Sequence, residues 1–457
     1  MSENVKALQQ ERARIFEDLF NNRIPKRVPI SIGLPLEPIA QYGGLDLLTA
    51  QWEPALVEEA ADKICQILFS DTCPFSGSLR FPSYYQLLKS QSFVMGSNGF
   101  IQHPEVVGML PEEYDYLIEN PYDCIIERIL PRQYKALKAE EPFKMAITLA
   151  KSILAYNSDM GTVGAIIAKL VEKYGYFAGA GRRAGGFTEA PFDFLADLLR
   201  GFKGISMDVR RMPEKVAEAC EALYPIVLKK GMPKVIDNNA AVFLPLHMPT
   251  FMREKDFEKL YWPTFKRLID EYASMGIHCM LFCEDNWERY LDYLYELPVD
   301  TRLMFEYGDP ELIKEKLGKK HIITGLYPVS ILKTHTKEKC LEKAKEMLDI
   351  LAPGGKYYFG LDKNPLTIHD IKLENLCAVT EYVRDHGVYP NAGETAGMHF
   401  NKEDYKVDPS ASRKIESKYY RTWEQFKAEY PEVSDLGEPK LQGLEDMLFQ
   451  YLIFLLL

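Results

Sequence analysis

Between residues 240 and 387, short apolar runs alternate with amphipathic helical stretches, and this rhythm leaves few folds open. The runs AAVFLPLH (240–247), IHCMLFCE (277–284), TRLMFE (301–306), HIITGLY (321–327) and KYYFGLD (356–362) are short and apolar on both faces. Runs of that kind read as buried parallel strands. Between them lie DFEKLYWPTFKRLIDEYASMG, NWERYLDYLYEL, DPELIKEKLG and TKEKCLEKAKEMLDILAPGG. The first carries Phe257, Leu260, Tyr261, Phe265, Leu268 and Ile269 on one helical face. Asp309 and Pro310 mark a helix start, and Gly354–Gly355 a helix end. Repeated strand–helix alternation predicts a parallel sheet, most simply closed as a distorted (β/α)8 barrel, with an open doubly wound sheet as the other arrangement.

The stretch LFCEDNWERYLDYLYELPVDTRLMFEYGDP (281–310) adds chemistry to that frame. One strand ends in Glu284 and Asp285, and the next ends in Glu306. In parallel α/β proteins the functional residues sit where strands end. Buried carboxylates are costly unless they have partners or a task. Glu284 and Glu306 are therefore the first candidates for catalysis. If close together, they would share a proton or bind a cation. Their bland alternative is a salt bridge to Arg289 or Arg302.

The first half is less regular. RVPISIGL (27–34) and ILFSDTCPF (67–75) read as strands, while 80–110 reads as an inserted hairpin-like region. Helices follow over 111–137 and 142–175, and two more over 193–231, the second starting near Pro213. One domain spans 1–457, with an N-terminal helix over 1–26 and a C-terminal extension over 400–457. The glycine loop GAGRRA (179–184) lacks the strand–turn–helix setting of a dinucleotide fingerprint. Its Arg182 and Arg183 could instead meet an acidic partner face.

Composition excludes several classes. Of 457 residues 47% are hydrophobic, enough for one large core. Net charge is −11 with no basic block, which speaks against nucleic acid. The polar N-terminus carries no export signal, and the apolar end MLFQYLIFLLL is too short to span a bilayer. It reads as docked on the body or on a second copy, so a homodimer is open and no membrane is expected. Eight scattered Cys fit a reduced, cytoplasmic protein. Cys279 and Cys283 are expected as core thiols.

With these elements placed, the chain resembles the uroporphyrinogen decarboxylase superfamily. The stretches that carry the resemblance run from about Arg27 to about Arg384. They include EEYDYLIENPYDCIIERILPR, APFDFLADLLRGFKGISMDVRRMPEKVAEACEAL, PTFMREKDFEKLYWPTFKRLID, LGKKHIITGLYPVSIL and GGKYYFGLDKNP. The resemblance implies a distorted (β/α)8 barrel. The decarboxylase itself grips its many carboxylates with arginines in the first loop, but here SIGLPLEPIAQYGG contains none. The thiol-methylating branch holds zinc with His and Cys. At the matching places this chain has Phe282, Glu284, Glu306 and a residue near Asp362. What remains is similar to the Phe-x-Glu branch of corrinoid-dependent O-demethylase methyltransferases. That branch implies a small methoxylated aromatic donor and a separate corrinoid protein as acceptor.

Such chemistry needs a proton or a Lewis acid at the leaving oxygen. His247 could complete a zinc site with Glu284, Glu306 and Asp362. Asp285 reads as the cap of the helix that follows. Tyr42, Trp287, Tyr290, Tyr327 and Phe359 are candidates for a ring-binding pocket. His278, His321 and His335 fall away from the strand ends and outside the site. A decarboxylase or lyase of a smaller acid, and a non-catalytic corrinoid-binding protein, are the alternatives.

Overall fold

The computed structural model describes residues 2–179, 185–407 and 414–457. Arg182 and Arg183, and with them most of the loop GAGRRA, lie outside the described residues. Nine strands carry the frame: β1 (Leu34–Pro35), β2 (Phe75–Gly77), β3 (Val94–Met95), β4 (Ile101–Gln102), β5 (Gly186–Phe187), β6 (Val242–Leu246), β7 (Cys279–Asn286), β8 (Arg302–Tyr307) and β9 (Ile322–Gly325). The last five form one parallel sheet in chain order, β5-β6-β7-β8-β9. Cys279 and Cys283 are buried free thiols within it. The expected helices fall between the strands, including Pro310–Leu317, whose first amides Asp309 caps, and Lys337–Leu351.

Parallel pairing continues past β9 through single bridges. Ile323 pairs with Tyr357 and Tyr327 with Leu361; Phe359 pairs with Ile30, Leu34 with Phe75, and Thr72 with Phe177. The expected closed eight-stranded ring is not present among the described residues. Between residues 27–34 and 70–75 side-chain bonds mix with backbone pairing, in which the Asp71 amide donates to the Ile30 carbonyl at 2.9 Å and the Leu34 amide to the Pro74 carbonyl at 2.7 Å. The Ile30 amide donates to the Asp71 carboxylate at 2.8 Å and the Ile32 amide to the Ser70 hydroxyl at 3.2 Å. Pro29, Pro35 and Pro74 remove further donors from these segments. Asp71 also takes both terminal nitrogens of Arg27, at 2.8 and 2.6 Å. Arg12 lies 3.6 Å from the same carboxylate.

The N-terminal helix Glu3–Phe20 stoppers the end where the strands begin. Its Phe16, Leu19 and Phe20 form a separate buried cluster with Ile322 and Tyr358. Phe16 stacks on Phe177 at 4.6 Å, and the Arg302 guanidinium lies 3.7 Å from the Phe20 ring centre. Arg12 donates to the Tyr174 and Gly175 carbonyls.

In the region 80–110, β3 and β4 make a short antiparallel hairpin. Beyond it the chain runs along the segment after β5: the Met109 amide donates to the Leu199 carbonyl at 2.8 Å. The C-terminal helix Glu438–Phe454 buries Phe449, Tyr451, Leu452 and Ile453 against the body. Tyr451 hydrogen-bonds Ser152 of the long helix Pro142–Tyr174. No helix among the described residues is long and apolar enough to cross a membrane.

Candidate functional site

Parallel strands bring their last residues to one rim, and here that rim is polar. His247 directly follows β6, Glu284 lies near the end of β7 and Glu306 near the end of β8. Register explains their proximity, since Leu246 pairs with Cys283 and Cys283 with Phe305. The ladder then slips between Cys283 and Asn286. The slip puts Asp285 at φ +59°, a left-handed conformation that an Asp tolerates better than most residues. The freed Asp285 amide donates to Glu306 Oε2 at 2.8 Å. Asp285 does not cap the helix that follows: Trp287 holds the cap position with no side-chain bond, and Asn286 Oδ1, one residue earlier, accepts from the Glu288 amide.

The central feature was not anticipated. His247 stands between two carboxylates: Nδ1 is 2.6 Å from Asp197 Oδ2, and Nε2 is 2.9 Å from Glu284 Oε1. Both ring nitrogens face acceptors, so the imidazole carries both protons. Burial alone would lower its pKa. Asp197 and Glu284 outweigh that and raise it to about 11. The His247 and Glu284 side chains are 39% and 33% exposed, so a ligand at the rim can reach both. Glu284 Oε2 makes no hydrogen bond among the described residues.

Asp197 comes from the helical segment after β5. There Pro191–Asp193 runs into a widened π-helical stretch, Phe194–Arg200. Such wide turns recur at functional sites. Asp193, four residues earlier, is fully buried. It accepts from the Met248 amide at 3.0 Å and the Tyr261 hydroxyl at 2.7 Å. Burial first, then the nearby Asp197 charge, raise its pKa to about 8. The Asp193-x-x-x-Asp197 spacing, on one helical face just after a strand, was the signal for this pair.

The sign of the resulting pH dependence follows from linkage. Asp193 holds its proton more tightly folded, at about 8, than at its ordinary 3.8. Its contribution to stability is therefore full below about pH 4 and is lost as pH rises through about 8. Asp193→Asn mimics the protonated form and is expected to flatten that decline. Denaturant midpoints measured from pH 5 to about pH 9 check this; parallel curves for the two proteins would refute it.

The other expected residues have separate duties. Glu306 Oε1 lies 2.5 Å from Lys363 Nζ, so its bland alternative holds with a different cation. Partial burial would raise its pKa, but Lys363 and the Asp285 amide hold it below the ordinary carboxylate value. Glu284 and Glu306 therefore share no proton: each has its own cationic partner, although both charges act on Lys363. Arg289 donates to the Pro249 and Thr250 carbonyls, and Arg302 to the Asn238 carbonyl. Asp362 is buried and accepts from the Val329 and Lys363 amides, which ties down its own loop.

The four residues expected to hold zinc do not fit one. Among the described residues no group of three or more His, Cys, Asp or Glu side chains is placed to hold a metal ion. His247 spends both nitrogens on carboxylates, Glu306 binds Lys363, and Asp362 binds backbone. The ring-binding expectation is also corrected. Trp287, Tyr290, Tyr327 and Phe359 are all fully buried. Tyr290 donates to the Pro249 carbonyl and stacks on Phe257 at 4.1 Å. Tyr327 donates to the Cys340 carbonyl and packs on Phe359. Trp287 packs edge-on to Phe257. Apolar burial claimed these rings for the core. Tyr42 is exposed at the end of the helix Leu36–Tyr42, within electrostatic reach of Lys63.

Large apolar side chains stand exposed just past several strand ends. They are Leu79 after β2, Phe202 after Asp197, Phe251 after His247, Tyr307 at the end of β8, and Leu366 after Asp362. Phe202 and Phe251 touch edge-to-face at 5.2 Å. Single exposed residues of this kind are ordinary on a protein surface.

Comparison with known families matches residues 146–386, more than half of the chain, to uroporphyrinogen decarboxylase (URO-D). The match includes β5 to β9, Asp193, Asp197, His247, Glu284 and Glu306, and leaves out residues 27–145. No curated protein matches the chain.

Proposed function

We propose methyl transfer for this chain, which belongs to the uroporphyrinogen decarboxylase family. The donor is a small methoxylated aromatic or a similar methyl ether, and the acceptor is a separate corrinoid protein. Membership of this family supports a catalytic role, and the first-loop sequence without arginine argues against a polycarboxylate substrate. The corrinoid of the partner supplies the nucleophile that takes the methyl group. The chain's own residues handle the oxygen left behind. As the carbon–oxygen bond breaks, its electron pair stays on oxygen, and a proton must arrive there to give the phenol.

The observation that carries the reading is the doubly hydrogen-bonded His247 between Asp197 and Glu284 at the strand ends. Glu284, open on its Oε2 side, faces the rim and relays the proton. His247 refills it, and Asp197 holds the imidazole in place. Lys363 beside Glu306 keeps that second carboxylate ionised and so leaves the relay to Glu284. The acceptor protein docks at this rim, where Phe202 and Phe251 stand exposed. No step uses zinc.

Purified protein, a reduced corrinoid protein and a panel of methoxyarenes test the proposal. The expected result is release of the matching phenol that depends on both proteins. Carbon dioxide release from an aromatic or aliphatic acid without any corrinoid would overturn it in favour of a lyase. No phenol from any donor, with a folded sample, would overturn it outright.

A further inference from the structure

Two widened helical turns meet at a single hydrogen bond beside His247. The π-helical stretch Phe194–Arg200 begins one residue after Asp193, and a second, Phe257–Tyr261, ends on Tyr261. The Tyr261 hydroxyl donates to Asp193 Oδ2 at 2.7 Å. Both residues are fully buried, so neither touches a ligand at the rim. Turns of this kind are rare and gather where a side chain must be aimed.

Asp193 holds both halves of the His247–Asp197 pair. It lies four residues before Asp197 on the same helical segment. Its other oxygen, Oδ1, accepts from the amide of Met248, the residue after His247, at 3.0 Å. One carboxyl group thus ties the backbone beside the imidazole to the helix that carries the imidazole's partner. Among the described residues these are its two bonds, and Tyr261 supplies the one that comes from a side chain. Tyr261 is itself hard to move. Its ring packs on Phe192 at 5.8 Å, Phe257 at 5.3 Å and Phe265 at 5.4 Å. The next residue of the loop is pinned as well, since the Pro249 carbonyl accepts from Arg289 and Tyr290. The contact of 2.6 Å between His247 and Asp197 needs such bracing, because a hydrogen bond weakens steeply with misalignment.

We infer that Tyr261 is a positioning residue for His247, acting through Asp193 to hold the Met248 backbone and the Asp197 segment in register. Its effect on rate rests on the methyl-transfer reading above; its effect on the imidazole does not. Tyr261→Phe removes the hydroxyl and keeps the ring packing. In protein carrying isotope-labelled histidine, the Nδ1 proton of His247, held against Asp197, should give a far-downfield resonance. In Tyr261→Phe it should move upfield and exchange with water about 10-fold faster, the equivalent of one buried hydrogen bond. Unchanged signals from the buried His278 and His321 report that the fold is kept. Tyr272→Phe removes a hydroxyl bonded to the Leu228 carbonyl, further along the same helix, and should leave the His247 resonance in place. Asp193→Asn keeps an oxygen for the Met248 amide and a donor for the Tyr261 oxygen, so the resonance should persist there too. With an active donor, Tyr261→Phe should lower kcat about 10-fold at unchanged KM and cost nothing further in a His247→Gln background. An unmoved His247 resonance in Tyr261→Phe, the same shift in Tyr272→Phe, or its loss in Asp193→Asn would each overturn the proposal. A moved resonance with an unchanged rate would leave the brace standing and overturn the proton role of His247 instead.

Discussion

His247→Gln is expected to slow methyl transfer about 100- to 10,000-fold, the range in which a positioned acid contributes to a rate. Gln can donate through its amide nitrogen to one of the two carboxylates but has no acidic proton to deliver. Loss should therefore fall on kcat rather than KM. It should also depend on the donor. An ether whose phenol is a weak acid needs the proton most and should lose most rate, while one with an acidic phenol should be nearly spared. Equal loss across donors would reduce His247 to a positioning role. The pH profile gives an independent reading. The imidazole's pKa is raised to about 11, so the wild type should keep its acid through neutral pH and lose it only as pH approaches that value. The linked stability has the same sign: it is present below the ordinary 6.5 and lost as pH rises through about 11. Asp197→Asn removes the foremost of the carboxylates that raise the pKa, and should bring the alkaline fall in rate toward neutrality.

Asp71→Ala should be the most damaging single change to the fold, costing about 3–5 kcal/mol by leaving buried charge without its partner. Asp71 is fully buried and serves four groups: Arg27 by two hydrogen bonds, Arg12 by charge, the Ile30 amide, and the Phe177 amide through its own carbonyl. Truncation removes the first three at once. The residue also joins the first two strand segments through its side chain and through its own amide, which donates to the Ile30 carbonyl, so the two should loosen together. Denaturant midpoints measure the cost, and faster amide exchange at Ile30 and Ile32 locates it. A loss below about 1 kcal/mol, the scale of one ordinary hydrogen bond, would show that solvent readily replaces this carboxylate.

Much of the frame was legible in residue order. The five runs from 240 to 362 hold β6 to β9 and the paired segment after them, because a buried parallel strand is a short unbroken apolar run. The stave at 186–188 was not read, since GGFTEAP is small, polar and proline-bounded. The bonding between the first two strand segments was not legible either: the Asp71 and Ser70 side chains take the Ile30 and Ile32 amides, which a generic strand pairing would have given to carbonyls. At the site, strand-end logic found His247, Glu284 and Glu306. It could not say which carboxylate each cation would take. Glu306 found Lys363, 57 residues away in sequence, and His247 found Asp197, 50 residues back on a helix. Aromatic residues misled because Trp287 and Tyr290 sit beside the strand ends in sequence, while their size draws them into the core.

The stopper at the closed end sets an order of assembly. Synthesis releases residues 3–20 long before the pocket that receives Phe16, Leu19 and Phe20 is complete, since that pocket includes Ile322 and Tyr358. At ribosomal speeds, on the order of tens of seconds separate the two events. Throughout that interval an amphipathic helix waits with Phe16, Leu19 and Phe20 unseated, exposed to chaperones and to other nascent chains. Docking it is a late step, slow because the loop it closes, from Phe20 to Ile322, is about two thirds of the 457 residues.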